Sequence, residues 1–179
     1  MIYALMAEGF EEIEALAVVD ILRRAEIEIE LVSISESRYV KGAHGIEVSA
    51  DKLITEIQEY DMIFLPGGYP GYINLESCTG VINVLHDCIK SNKYISAICA
   101  APSILGKQGI LENKKACCFP GFENDLIGAD VCFDEVVVSE NIITSRGAGT
   151  AHKLAFKIIE LFKSKDVADK LASAMIYNL

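Results

Sequence analysis

Two hydrophobic periods alternate along the chain. Ile2–Ala7, Asp61–Leu65 with its "MIFL" core, and Tyr94–Ile98 are nearly continuous apolar runs, the pattern of strands covered on both faces. Ile27–Ile34 opens as Ile-Glu-Ile-Glu and then turns apolar, which predicts a further strand. Between these runs lie helical segments at Glu11–Ala25 and Cys78–Ser91, a short one at Ala101–Gln108, and two at the end, Thr150–Lys163 and Val167–Tyr177. The first is rich in strong helix formers and ends on Arg23-Arg24, cations that suit a helix C-terminus. Tyr39–Ser49, with Gly42 and Gly45, reads as a short hairpin or irregular excursion, and "PGGYPG" as a loop. Ala116–Cys118 reads as a strand, and Glu135–Val138 with Ile142–Thr144 as a closing strand pair. Strands alternating with helices predict an α/β fold, a doubly wound and mostly parallel sheet with helices on both faces. No repeat, linker or low-complexity tract interrupts the sequence, so residues 1–179 are read as a single domain.

Composition narrows the partners. Sixteen basic against twenty-six acidic residues give a net charge of −10, and no Lys/Arg cluster offsets it. That argues against nucleic acid or an anionic membrane as the main partner. The uncharged runs Met62–Leu75 and Tyr94–Gly106 both contain proline and fall short of the ~18 residues a membrane helix needs. Acidic residues begin at Glu8 with no basic region before them, so no secretory signal is expected and the cytoplasm is the expected compartment. Six cysteines show no CxxC spacing, which disfavours a disulfide framework or a zinc site. Neither a metal nor a cofactor is expected.

One cysteine stands apart by position. In "ISAICAAPSILG" an apolar strand ends on Cys99, and Ala-Ala-Pro-Ser at once starts a helix. Parallel sheets bind ligands at the carboxyl ends of their strands. A nucleophile on a sharp strand-to-helix turn has its reactive atom exposed and backbone N–H groups around it. The helix N-terminus beyond is expected to favour thiolate over thiol. Small neighbours at Ala97, Ala100 and Ala101 allow a tight turn. Gly67-Gly68 ends the other apolar strand and would let a second backbone approach and donate an N–H to an oxyanion. In the first helix, Glu14 shares a face with Ala17, Val18 and Ile21 and so interrupts an apolar stripe. A carboxylate there needs a partner or a proton, and a raised pKa would make it a proton donor or relay beside the thiol.

"AEGFEEIEA", "LPGGYPG", "AICAAP" and "TSRGAGT", in this order and spacing, resemble the ThiJ/PfpI family, the superfamily of the parkinsonism-associated deglycase. The resemblance runs from about Met1 to Ala174. It implies a flavodoxin-like sandwich with Cys99 at a nucleophile elbow, Glu14 as its carboxylate partner, and the Gly68 and Ala100 N–H groups as the oxyanion site. It also implies that Arg146 of "TSRG" belongs to the loop bordering the pocket, and that the region of His44 borders the pocket or the subunit contact. Many members carry histidine before the proline that follows the elbow strand; here the position is Phe119, in Cys118-Phe119-Pro120. The protease-like branch has histidine directly after the cysteine, where this chain has Ala100. A Cys–His dyad is therefore not expected. His86 and His152 read as surface residues.

The resemblance implies a cofactor-independent enzyme, a glyoxalase III-like lyase or a deglycase. Its substrates would be reactive dicarbonyls such as glyoxal and methylglyoxal, or glycated side chains, in a role in stress protection. The alternative is a non-catalytic redox sensor or stress chaperone that uses oxidation of Cys99. A glutamine-amidotransferase domain would need a late His-x-Glu pair, which this sequence lacks. A homodimer through the first helix is expected. That helix carries apolar residues at Ile13, Leu16, Ala17, Val18, Val19, Ile21 and Leu22, more than one sheet face should cover.

Overall fold

Apolar runs and helical periods become a layered structure in the computed structural model, which describes residues 1–178. The strands are β1 (Ile2–Met6), β2 (Ile29–Ser33), β3 (Tyr39–Lys41), β4 (Glu47–Ser49), β5 (Lys52–Leu53), β6 (Met62–Leu65), β7 (Tyr94–Ile98), β8 (Lys115–Ala116), β9 (Asp130–Val131), β10 (Val136–Ser139) and β11 (Ile142–Ser145). The helices are α1 (Glu12–Arg24), α2 (Gly71–Ser77), α3 (Thr79–Lys90), α4 (Pro102–Lys107), α5 (Ala151–Phe162) and α6 (Lys165–Ala174). The main sheet has seven strands in the order β10-β11-β7-β6-β1-β2-β5. Every pair is parallel except β10 with β11.

Period two divides the core. All five residues of β1 are buried, and successive side chains point to opposite faces. Ile2, Ala4 and Met6 pack with Val18 and Leu22 of α1 and Leu154 and Ile158 of α5. Tyr3 and Leu5 pack with Val81 and Leu85 of α3 and Ile104 and Leu105 of α4. A strand covered on both faces has no room for polar positions. This is the doubly wound arrangement expected, and it brings the ends of β6 and β7 side by side.

Short elements depart from the expectation. Helix α2 starts on the last glycine of the segment read as a loop, and Gly71 and Leu75 are its buried residues, too few to produce a visible period. Strands β5 and β9, two residues each, are likewise below the length at which a pattern shows. The strand expected at Ala116–Cys118 shortens to β8 and pairs with β9 instead of the main sheet. Its backbone stays out of the main sheet because the Cys117 N–H donates to Thr144 Oγ1 at 2.9 Å and the Phe119 N–H donates to Cys99 O at 2.8 Å.

The apolar excess of α1 is mostly used within the chain. Val18, Val19, Ile21 and Leu22 are buried, Leu16 and Ala17 are half-buried, and Ile13 is exposed. Asp20 and Arg24 form an exposed ion pair one turn apart at 2.8 Å. Among the described residues, no helix is long and apolar enough to cross a membrane.

Candidate active site at the β7 elbow

Cys99 follows β7 directly, with φ +65°, a left-handed conformation that costs a non-glycine residue of order 1 kcal/mol or more. The surrounding backbone holds it there. The Cys99 N–H donates to Ser145 O at 2.9 Å, its carbonyl accepts from Phe119 N–H at 2.8 Å, and the Ala101 N–H closes the turn onto Ile98 O at 3.1 Å. Ala100 and Ala101 are buried behind the turn. The thiol is half-buried.

Glu14 reaches this sulfur from the first turn of α1. It is 1% exposed, and its side chain hydrogen-bonds Cys99. Its other partners are backbone donors: the Gly67 N–H at 2.9 Å and the Ala148 N–H. The interruption of the apolar stripe is therefore a buried carboxyl group aimed at the elbow.

Gly67 and Gly68 play different parts. A Cβ on Gly67 would stand 2.7 Å from both Cys99 Cβ and Glu14 Oε2, so the absence of a side chain lets the two groups meet. Gly68 has φ +96°, and a Cβ there would lie 2.3 Å from Glu11 N. Its N–H and that of Ala100 hydrogen-bond the Cys99 sulfur. Of the three amides expected at the site, two point to sulfur and that of Gly67 points to the carboxyl group.

Burial pushes the Glu14 carboxyl up to about 7; the bonds from Cys99, Gly67 and Ala148 oppose the rise, and the Glu11 charge adds to it. Burial and the facing Glu14 push the Cys99 thiol up to about 12, against the Ala100 and Gly68 amides. This corrects the expectation of a thiol acidified by the helix beyond it: α4 is six residues long, and desolvation outweighs its dipole. The two groups titrate as a pair. The first proton leaves near neutral pH, and the second is held between oxygen and sulfur until strongly alkaline pH. In the tautomer that places this proton on Glu14, the sulfur is a thiolate facing a carboxylic acid and two amides.

The remaining candidates form the surroundings. Phe119 is half exposed, and its ring lies 3.2 Å from the position of a Cβ on Gly147, in the loop that also holds Ala148. Arg146 leans over the Phe133 ring, its Cζ 6.0 Å from the centroid, and its Nε is buried without a hydrogen-bond partner. His44 faces the two glutamates that precede Glu14. Its N–H and Nδ1 each lie 2.7 Å from an oxygen of Glu12, and Nδ1 is 3.9 Å from Glu11 Oε1. Glu12 also accepts from Ile46 N–H at 3.4 Å. Glu11, Glu12 and His44 each bring one ligand atom within 4.8 Å of the others, the grouping here that could hold a metal. Their oxygens are already engaged, Glu11 Oε2 by the Glu14 N–H at 2.7 Å, so the cluster acts as a clasp between α1 and the β3–β4 hairpin. His86 faces Gln108, and His152 stacks on Tyr177.

Sequence reasoning did not single out Ser145 and Ala148, whose contributions are backbone atoms. The "TSRGAGT" motif was their only signal.

The model of the DJ-1/PfpI family matches residues 1–161. The chain belongs to the DJ-1/PfpI family. Protein DJ-1 homolog A of Arabidopsis thaliana is 36% identical over 174 residues, covering 96% of this chain and 44% of that protein. The chain thus spans less than half the length of that plant relative. The Schizosaccharomyces pombe protein named glutathione-independent glyoxalase DJ-1 is 35% identical over 173 residues, covering 90% of each chain. Among solved structures, oxidized Toxoplasma gondii DJ-1 superposes with a TM-score of 0.96 at 34% identity, covering 99% of this chain and 98% of that one. The flavodoxin-like architecture of the DJ-1/PfpI family is thus the fold of this chain.

Proposed function

We propose that this chain is a cofactor-independent glyoxalase of the DJ-1/PfpI type, converting small 2-oxoaldehydes to 2-hydroxy acids, with deglycation of early adducts on side chains as the related activity. The observation that carries this reading is the buried Glu14 carboxyl hydrogen-bonded to the Cys99 thiol. The name of the fission-yeast relative supports the reaction class.

The Cys99 thiolate adds to the aldehyde carbon of methylglyoxal, and the oxygen takes a proton from Glu14, giving a hemithioacetal. The Gly68 and Ala100 amides face the charge as it moves from sulfur to oxygen. Glu14, now ionised, removes the proton from the former aldehyde carbon and returns it to the neighbouring carbon, while the hemithioacetal hydroxyl proton passes to the former ketone oxygen, leaving a thioester of lactate. Water hydrolyses the thioester, so one methylglyoxal and one water give one lactic acid with no net redox change. A carboxyl group titrating near 7 suits both halves of this relay. Phe119 stands where many relatives have histidine, so Glu14 is the proton carrier in this scheme.

The reading extends to one domain working as a cytoplasmic homodimer, with the exposed Ile13 and half-buried Leu16 and Ala17 on the contact face. A redox-sensing role for Cys99 is the second reading, favoured by the oxidized state of the Toxoplasma neighbour. The deciding experiment is lactate formation from methylglyoxal by purified wild type, Cys99→Ala and Glu14→Gln. Turnover lost in Cys99→Ala supports the enzyme. No turnover in the wild type, together with clean conversion of Cys99 to a sulfinate by peroxide, supports the sensor.

A further inference from the structure

Beyond the elbow, the short β8–β9 ladder holds two thiols that the glyoxalase reading does not use. The ladder is parallel, with Lys115 opposite Asp130 and Ala116 opposite Val131. Its hydrogen bonds continue one step further, the Cys132 N–H donating to Ala116 O at 2.8 Å. Extending the register by one step sets Cys117 opposite Cys132, just past the last paired residues. Their faces agree as well as their order. Ala116, Cys118 and Val131 all pack into the cluster built around α3 and α4, and side chains alternate along a strand. Cys117 and Cys132 consequently share the opposite face. Residues in register on neighbouring strands stand about 5 Å apart at Cα, inside the roughly 4.4–6.8 Å range a disulfide spans.

The two thiols differ in access, which gives the chemistry an order. Cys132 is partly exposed and Cys117 is buried. Burial pushes the Cys117 thiol up, against the Thr144 hydroxyl, the Val137 N–H and the Arg146 charge, and Thr144 Oγ1 holds the sulfur in place by donating to it at 3.6 Å. A buried thiol beside donors and a cation is a resolving partner for an accessible one.

We propose that Cys117 and Cys132 are a second redox site, a cross-strand thiol pair that a hydroperoxide closes into a disulfide. Cys132 reduces the hydroperoxide and becomes a sulfenic acid, releasing water from hydrogen peroxide or the alcohol from an organic hydroperoxide. The Cys117 sulfur then attacks the sulfenic sulfur, the S–S bond forms, and a second water leaves with the Cys117 proton. The bridge would tie the ends of the 118–131 segment together. That segment includes Phe119, whose N–H holds the Cys99 carbonyl, so the second site lies one residue contact from the first.

The test is a thiol map of the full chain in a Cys99→Ala background, which removes the elbow thiol from the count. The protein is treated with hydrogen peroxide, alkylated after denaturation, digested and analysed by mass spectrometry. The expected result is a Cys117–Cys132 linked peptide that has lost two hydrogens, with both thiols lost from alkylation together and both recovered after dithiothreitol. Cys132→Ser, at a partly exposed position, should abolish the link and leave Cys117 reduced. Cys132 carried to a sulfinic acid while Cys117 remains free would overturn the proposal, as would a link from Cys132 to Cys118. Because the map is read without Cys99, it is independent of whether the chain turns over methylglyoxal.

Discussion

Glu14 on α1 and Cys99 at the end of β7 are joined by a hydrogen bond inside the protein, with the carboxyl group 1% exposed. Neither group would occupy its position alone. The carboxyl group would be an unpartnered acid in an apolar stripe, and the cysteine a strained residue at φ +65°. Together they hold one shared proton over the neutral and mildly alkaline range.

That sharing has a kinetic signature. The iodoacetamide alkylation rate of Cys99 should rise through an inflection near pH 7, as the pair loses its first proton. In Glu14→Gln the neutral inflection should vanish, and the thiol should ionise in a single step below the wild-type value of about 12, because the facing carboxyl group that helps to raise it is gone. An unchanged profile in the variant would show that the two groups titrate independently.

Stability should carry the same pair in its pH dependence. The folded state raises Glu14 from 4.5 to about 7, so it binds this proton more tightly than the unfolded chain does. The contribution is full below the ordinary carboxyl range, declines as pH rises from about 4.5 to about 7, and is level above. Its size is at most roughly 3 kcal/mol at 1.4 kcal/mol per pKa unit. Urea unfolding at pH 5 and pH 8 should show Glu14→Gln losing less stability than wild type over this interval. Parallel losses would refute the assignment.

Gly67 is expected to be intolerant of one methyl group. An alanine Cβ would meet Cys99 Cβ and Glu14 Oε2 at 2.7 Å, an overpacking that costs about 1–3 kcal/mol. Gly67→Ala should therefore lower the thermal midpoint and also blunt the neutral inflection in Cys99 alkylation. A variant with native alkylation kinetics would mean that the site yields elsewhere.

The Glu12–His44 clasp should loosen as the solution becomes alkaline. The Glu12 hydrogen bond raises the exposed His44 ring above its usual range. Burial pushes Glu12 up, yet the His44 ring and the backbone donors hold its carboxyl below the usual value. The ionic part of the clasp is thus fully present between pH 4.5 and 6.5, is lost as pH falls through the lowered Glu12 value, and is lost as pH rises through the raised His44 value. Hydrogen exchange at the His44 and Ile46 amides, corrected for intrinsic rates, should be faster at pH 9 than at pH 6. Glu12→Ala, which strips both amides of their acceptor, should accelerate it further than His44→Ala.

Assembly has its own test. Sedimentation equilibrium at micromolar concentration should report twice the chain mass of 19.5 kDa, and Ile13→Glu should shift the protein toward monomer without unfolding it. A wild-type monomer would remove the second subunit from the site.

The sequence by itself determined the layering. Continuous apolar runs such as "MIFL" admit only strands covered on both faces, so a parallel sheet sandwiched by helices followed from local pattern. The same pattern exposed Glu14, because an acid in an apolar stripe is anomalous wherever the helix packs. It placed Cys99, because a strand that stops on Cys-Ala-Ala-Pro has to turn. Tertiary structure decided the remainder. Whether Cys99 is acidified or raised depends on how much water reaches it, and only packing sets that. The division of labour between the Gly67 and Gly68 amides rests on how closely two backbone turns approach. Strands β8 and β9 are too short to show a period, and β8 stays out of the main sheet because Thr144 Oγ1 and Cys99 O lie within reach of its backbone. The covering of α1 by α5 is a long-range contact as well, and Val18, Val19, Ile21 and Leu22, four of the seven residues whose count had pointed to a partner, are buried within one chain. Local period is written into neighbouring residues, whereas desolvation and backbone approach belong to residues that only the fold brings together.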